Sequence, residues 1–273
     1  MSSQVRLFAD DCLLYRTIRG IRDQHKLQED LKNLEVWATK WGMRFNAAKC
    51  NILSLRGKRP YLYQLDDTIL DHVDAHPYLG VELSKDLKWS NHISKVTKRA
   101  NRTLGFLCQN LGRCPKPCKK TAYIALVRSV LKYSAIVWDP YLVSDIDRLQ
   151  RIQRSATRFK TGDYRNRGPG CVASMLAGLE LETLQSRKQE KRLTFLRKVM
   201  DGMVPALPPD SFLTPVRPGK RPIQAKTFAD FQSDLIAHFS ARSNSRPFIV
   251  PHSRLEQYRN SFFVRTVRDW NQL

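Results

Sequence analysis

The chain has 273 residues, enough for one large or two small domains, and 42% are hydrophobic, which argues against wholesale disorder. Lys and Arg number 47 against 25 acidic residues, a formal net charge of +22 that points to a polyanionic partner, nucleic acid before an acidic membrane surface. No apolar stretch is long enough for a bilayer span, MSSQVRLFADD lacks the apolar core of a secretion signal, and six scattered cysteines read as reduced thiols. The expectation is a protein of the nucleus or cytoplasm with no membrane segment, not secreted.

In chain order, residues 4–16 (QVRLFADDCLLYR) place two short apolar runs around Asp10-Asp11, which predicts a β-hairpin with the acids at its tip. Leu27, Leu31, Leu34, Ala38 and Trp41 recur at spacings of three and four, predicting an amphipathic helix over 23–41 that ends at Gly42. Short strand-like runs follow at 50–55, 61–65, 68–73 and 78–83, with a turn expected at Asp66-Asp67. From about residue 90 the pattern becomes helical. One apolar stripe is Ile93, Val96, Ala100, Leu104, Leu107 and Leu111. The next is Tyr123, Leu126, Val127, Val130 and Leu131, and a third is Ile146, Leu149, Ile152, Ala156 and Phe159. A further helix is expected over 180–202, a Pro-rich basic linker near 205–222, and helical pattern again near 226–240 and 254–271. No internal repeat is visible.

Two carboxylates at a hairpin tip can hold hard divalent cations through oxygen, and in phosphoryl transfer such ions activate the attacking 3′ oxygen and neutralise the leaving pyrophosphate. The bland alternative is an Asp-Asp turn, since Asp favours turns by itself. Asp66-Asp67 is the same dipeptide between similar runs and reads as a plain turn. The residues alone leave both readings of Asp10-Asp11 open.

FADDCLLYR resembles the [YF]-x-D-D motif of reverse transcriptases. LEVWATKWGMRFNAAKCNILSL resembles the next block of the LINE-type (non-LTR retrotransposon) enzymes, and HPYLGVEL is similar to their primer-grip block. DLKWSNHISKVTKRANRTLGFLCQNL and LVRSVLKYSAIVWDPY look like the helical thumb, and DRLQRIQRSATRF and SFFVRTVRDWNQL resemble C-terminal blocks. Order and spacing agree over most of the chain. The resemblance implies an α+β fold: a partial reverse-transcriptase palm over 1–85, a basic thumb-like helical region over 86–165, and a C-terminal helical region over 166–273. It implies RNA-directed DNA synthesis with Mg²⁺ (or Mn²⁺), on an RNA template with a DNA primer or on the RNA–DNA hybrid.

Residue by residue, the resemblance makes Asp10 the direct metal ligand and Asp11 its support. Phe8 and Ala9 would lie beneath the primer terminus. Lys49 matches a lysine that protonates the leaving pyrophosphate, though a solvated strand-end lysine is an equal reading. Tyr78, Leu79 and Gly80 match the primer-grip turn, with plain core packing the simpler reading of Leu79. The resemblance also places a third palm carboxylate and the nucleotide-binding fingers ahead of Asp10. The chain is therefore expected to be a fragment that binds metal weakly or not at all and is inactive alone. The alternative is a non-enzymatic basic nucleic-acid-binding remnant.

Residues 86–165 hold 17 Lys/Arg and 5 Asp. Arg148, Arg151, Arg154 and Arg158 occur at helical spacing, so they share a face suited to a phosphate backbone. Cys114-x-x-x-Cys118, with Cys108 and His92 nearby, has an allowable zinc spacing but no matching second pair. His72 and His76 fall in strand-like sequence and read as structural. Cys12 and Cys171 read as buried thiols.

Overall fold

The structure, a computed structural model, describes residues 2–55, 61–166, 168, 170–178, 183–215, 248–252 and 254–272. The helical pattern expected at 226–240 and residues 216–222 of the Pro-rich stretch lie outside these. The fold is α+β and divides into two units, Met1–His92 and Ile93–Leu273. The second unit contains nearly all of what the sequence separates into 86–165 and 166–273.

The first unit opens with β1 (Gln4–Phe8) and β2 (Asp11–Tyr15), antiparallel with Phe8 opposite Asp11. Helix α1 (Ile21–Lys40) follows. Its apolar stripe does what the spacing predicts: Leu34 and Ala38 are buried, and Leu27 and Leu31 pack on Tyr63, Leu65 and Leu70. Trp41 does not join them. It is the C-cap residue, and its side chain is exposed where the chain leaves the helix. Gly42 then takes φ 67°, a left-handed conformation that glycine adopts without steric cost.

The remaining strands are short. β3 (Asn51–Ile52) pairs in parallel with β6 (Asp71–His72), and β4 (Gln64–Leu65) pairs with β5 (Thr68–Ile69). Asp66 and Asp67 form the β4–β5 turn, at φ 44° and 58°. Positive φ at both central residues is the type I′ pattern, which Asp tolerates better than most residues. The side chain of Gln28 accepts from the Gln64 amide (2.9 Å) and donates to the Gln64 carbonyl (2.8 Å), so α1 satisfies the edge of β4. The run at 78–83 is not one strand. β7 (Ala75–Tyr78) and β8 (Val81–Ser84) form a hairpin whose turn is Leu79-Gly80, at φ 46° and 74°.

The second unit is helical. On α2 (Ser90–Leu111), Ile93, Ala100, Leu104 and Leu107 are buried as the stripe predicts. α3 (Lys116–Ala122) runs into a π-helical turn (Tyr123–Arg128) and then α4 (Ser129–Lys132). Tyr123, Val127 and Leu131 are buried, but Leu126 is 49% exposed. The i→i+5 ladder of a π turn spends more residues per turn, which rotates Leu126 out of the stripe an α-helix would give it. α5 (Val143–Thr161) buries Leu149, Ile152, Ala156 and Phe159. α6 (Cys171–Ala177) and α7 (Leu184–Met200) follow. Thr183 caps α7, its hydroxyl oxygen accepting from the Ser186 amide at 3.1 Å.

The start of the stretch read as a linker is folded. Pro209–Phe212 is helical, and Leu213 is buried with Leu193, Leu196, Val267 and Trp270 against the helix Phe262–Trp270. Arg192 is buried between Asp139 and Asp269, with which it pairs. Lys188 (3.3 Å) and Arg265 (3.2 Å) also reach Asp139.

Candidate functional site

A two-stranded ribbon is marginal alone, so what holds the β1–β2 hairpin decides whether its tip has a fixed shape. Both legs are held by carboxylates on α1, spaced so that they share a face. Asp30 accepts from the backbone amides of Ser2 (3.0 Å) and Ser3 (2.7 Å), where β1 begins. Burial works to raise the Asp30 pKa, but hydrogen bonds from Ser3 and Ser2 outweigh it and bring the group to about 2. Asp23 pairs with Arg16 just past β2 (3.4 Å) and accepts from the Arg19 amide (3.0 Å). The amide of Arg19 foremost, with Arg16, lowers the Asp23 pKa. Arg16 also donates to the Ser2 hydroxyl at 2.7 Å, which ties the two legs together.

The tip is a two-residue turn, Ala9-Asp10. Ala9 has φ 50°, and positive φ at only the first central residue follows the type II′ pattern that normally takes glycine. Asp10 is therefore in the turn, whereas Asp11 is the first residue of β2. This differs from Asp66-Asp67, where both acids form the turn. Leu7 is 59% exposed and Phe8 64%, so the tip presents apolar surface beside two solvated carboxylates.

Phe8, Ala9, Asp10 and Asp11 are thus brought together. Lys49 is exposed at the end of a 3₁₀ turn (Ala47–Lys49), ahead of β3. Its neighbour Cys50 is near β2: burial raises the Cys12 thiol pKa, and Cys50 adds to the shift. Tyr78 and Gly80 stand at the turn of a separate two-stranded sheet, Tyr78 half-buried and Gly80 exposed. Leu79 is half-buried in that turn at positive φ, a strained conformation for a bulky residue. Arg148, Arg151, Arg154 and Arg158 belong to the second unit, on α5. The first three are exposed, with Arg148 3.6 Å from Asp145 and Arg154 donating to Gln150 at 3.3 Å. Among the described residues, no three or more His, Cys, Asp or Glu side chains gather as a metal site.

Asp23 and Asp30 are the functional-site residues that motif reading passes over. Two acids seven apart at the flank of the Leu27–Leu31–Leu34 stripe were the available signal, because a carboxylate beside a buried face needs donors.

Comparison with known proteins finds sequence relatives. The chain is 26% identical over 166 residues to the RNA-directed DNA polymerase from mobile element jockey of Drosophila melanogaster. The match covers 58% of this chain and 18% of that protein. A jockey polymerase from Drosophila funebris is 30% identical over 95 residues, 34% of this chain and 10% of the relative. The transposon X-element of Drosophila melanogaster, described as encoding a probable RNA-directed DNA polymerase, matches at 26% over 166 residues, 59% of this chain and 18% of the relative. The chain is similar in sequence to non-LTR retrotransposon RNA-directed DNA polymerases. The matched region spans less than a fifth of the length of each of these relatives. No protein-family model matches it, and no solved structure matches it. Among the described residues no helix is long and apolar enough to cross a membrane.

Proposed function

We propose that this chain is part of a retrotransposon RNA-directed DNA polymerase, with a partial palm over 1–85, a thumb-like region over 86–165 and a helical C-terminal region. The observation that carries the reading is the turn that sets Asp10 and Asp11 at an exposed tip whose legs Asp30 and Asp23 hold, in a chain similar to such polymerases. In the complete enzyme the primer 3′ oxygen attacks the α-phosphorus of the incoming nucleotide. The new P–O bond forms as the bridge to the β-phosphate breaks, and pyrophosphate leaves.

Asp10 would hold Mg²⁺ (or Mn²⁺) with Asp11 in support, and the bound cation would supply charge compensation for the reacting phosphates. Carboxylate oxygens suit such hard ions, and since no three candidate ligands gather among the described residues, this chain alone would hold the ion weakly. Lys49 gives a proton to the pyrophosphate. Phe8 and Ala9 lie under the primer terminus, and Tyr78 and Gly80 contact the primer backbone. Arg148, Arg151, Arg154 and Arg158 track phosphates of the RNA template–DNA primer hybrid. The protein works inside the cell.

In a primer-extension assay on an RNA template with Mg²⁺, this chain alone incorporates no nucleotide; incorporation that Asp10→Ala abolishes would overturn that expectation. The metal assignment is tested separately by Mn²⁺ titration followed by NMR. Line broadening should centre on residues 8–12 at millimolar metal and disappear in Asp10→Ala; broadening elsewhere, or unchanged in the variant, sinks it. A non-enzymatic nucleic-acid binder would be indifferent to Asp10→Ala and to Mg²⁺. The polymerase names of the relatives do not favour it.

A further inference from the structure

The second unit neutralises one set of its buried cations at Asp139 and gathers a second set elsewhere. At Asp139, three cations share a carboxylate, with Asp269 beside them. Elsewhere in the same unit, Arg128 ends the π-helical turn and Lys132 ends α4, while Arg187 and Lys191 stand one turn apart on α7. These four are neighbours. Burial first, then Arg187 and Arg128 among others, lowers the pKa of both Lys132 and Lys191. Lys160 of α5 lies beneath them, 1% exposed, its Nζ 4.0 Å from the centroid of the Tyr123 ring. Burial foremost, with Arg187, Arg128 and Lys120, brings it down to about 8.

Among the described residues, none of Arg128, Lys132, Lys160 and Lys191 forms an ion pair, and the buried Arg128 Nε has no hydrogen-bond partner. Glu190 is the one acid that acts on Lys132 and Lys191 in the opposite sense. Gathering like charges at low exposure is unfavourable unless an anion completes the arrangement.

The same place has a cavity of about 410 Å³ lined by Ile124, Arg128, Ser129, Lys132 and Tyr133. The Tyr133 side chain is 57% exposed at its rim. Its backbone is fixed: the indole N–H of the fully buried Trp138 donates to the Tyr133 carbonyl at 2.8 Å. Arg128 and Lys132 in one open hollow with the exposed Tyr133 ring, and Arg187 and Lys191 nearby, suit phosphates and a stacked base. A lipid headgroup or a free phosphate would use the cations and leave the ring without a role. On α5, Lys160 is on the buried side, opposite the exposed Arg148, Arg151 and Arg154, so this is a different surface from that row.

We propose that this groove binds a single-stranded nucleic-acid segment, its phosphates against Arg128, Lys132, Arg187 and Lys191 and one unpaired base stacked on Tyr133. The proposal shares a nucleic-acid partner with the polymerase reading and goes beyond it in the surface, the strandedness and the residues.

The test is binding of a labelled oligouridylate, followed by fluorescence anisotropy across a salt series. In the double variant Lys132→Gln/Lys191→Gln, the slope of log affinity against log salt should fall by about 1.4, for two lost phosphate contacts on a single strand. Tyr133→Ala should weaken the single strand about tenfold and leave a duplex unchanged. An unchanged slope, or equal losses for single strand and duplex, overturns the groove. Amine labelling of the wild-type chain needs no variant to fold: oligouridylate should protect Lys132 and Lys191 several-fold, and no protection overturns the proposal. If binding disappears only in Arg148→Gln/Arg151→Gln/Arg154→Gln, the groove fails while the polymerase reading stands, because tip-centred Mn²⁺ broadening reports on the latter independently.

Discussion

The two units handle buried charge differently, although the second unit also buries Asp145. The first buries a carboxylate, Asp30, and satisfies it with backbone amides from the chain start. The second buries cations and lays three lysines over aromatic rings: Lys119 over Phe159, Lys160 over Tyr123 and Lys188 over Trp138. A surplus of +22 is therefore not only a solvated coat. Part of it is taken inside the helical unit, where guanidinium and ammonium groups cost more to hold and respond more strongly to an arriving anion.

The sharpest way to break this comparison is at Arg192. Its side chain is 4% exposed, and it bridges Asp139 and Asp269 from separate stretches of chain. Arg192→Ala leaves two carboxylates without their central partner, and urea unfolding should register a loss of about 3–5 kcal/mol. A loss under about 1 kcal/mol would mean that the network behaves as a solvated surface pair, and the contrast between the units would fall.

Smaller effects separate the units along the pH axis. Asp30 has a folded pKa of about 2 against 3.8 for the ordinary group, so its contribution is complete above 3.8 and is lost as pH falls toward 2. Asp30→Ala should cost about 2 kcal/mol at neutral pH and remove part of the acid sensitivity of the first unit, read by amide exchange in β1 and β2. Lys160 runs the other way. Its folded pKa is about 8 against 10.5, so the folded state releases its proton first. The cost of burying its charge is full below 8 and fades as pH climbs toward 10.5, so the second unit gains stability across that window. Lys160→Met should flatten that alkaline gain and stay within about 1 kcal/mol of wild type at neutral pH. A gain that persists in Lys160→Met would assign it elsewhere.

What could be read from sequence was what local chemistry decides. The hairpin around Asp10-Asp11, the Asp66-Asp67 turn and the stripes of α1, α2 and α5 follow from spacing and turn residues within a few positions. What could not be read needs partners far along the chain or a choice between near-equal helices. Arg192 meets Asp139 and Asp269 at separations of 53 and 77 residues, which no periodicity reports. YIALVR is apolar enough for an α-helix, and only its packing selects the π turn that puts Leu126 outside. Leu213 sits in Pro-rich sequence that resembles a linker until the helix Phe262–Trp270 is there to cover it. At the candidate site the acids were legible as a motif, whereas the anchors Asp23 and Asp30 were not, because most of what they hold is backbone amides of the hairpin legs.

The smallest effect concerns the tip itself. Ala9 takes φ 50° between Phe8 and Asp10, where an L residue meets a steric cost that glycine avoids. Ala9→Gly relieves that cost and gives back some of it as unfolded-state entropy, so the net gain should be at most about 1 kcal/mol. Because the hairpin legs are fixed by Asp30 and Asp23, the gain should be confined to amide exchange at residues 8–12 and should not reach α1. Slower exchange at the tip alone would mean that the turn carries strain which the anchors make the chain accept. A change spread through the whole first unit would instead mean that tip and anchors act as one cooperative element, and that Asp10 and Asp11 owe their position to the turn more than to the carboxylates beneath them.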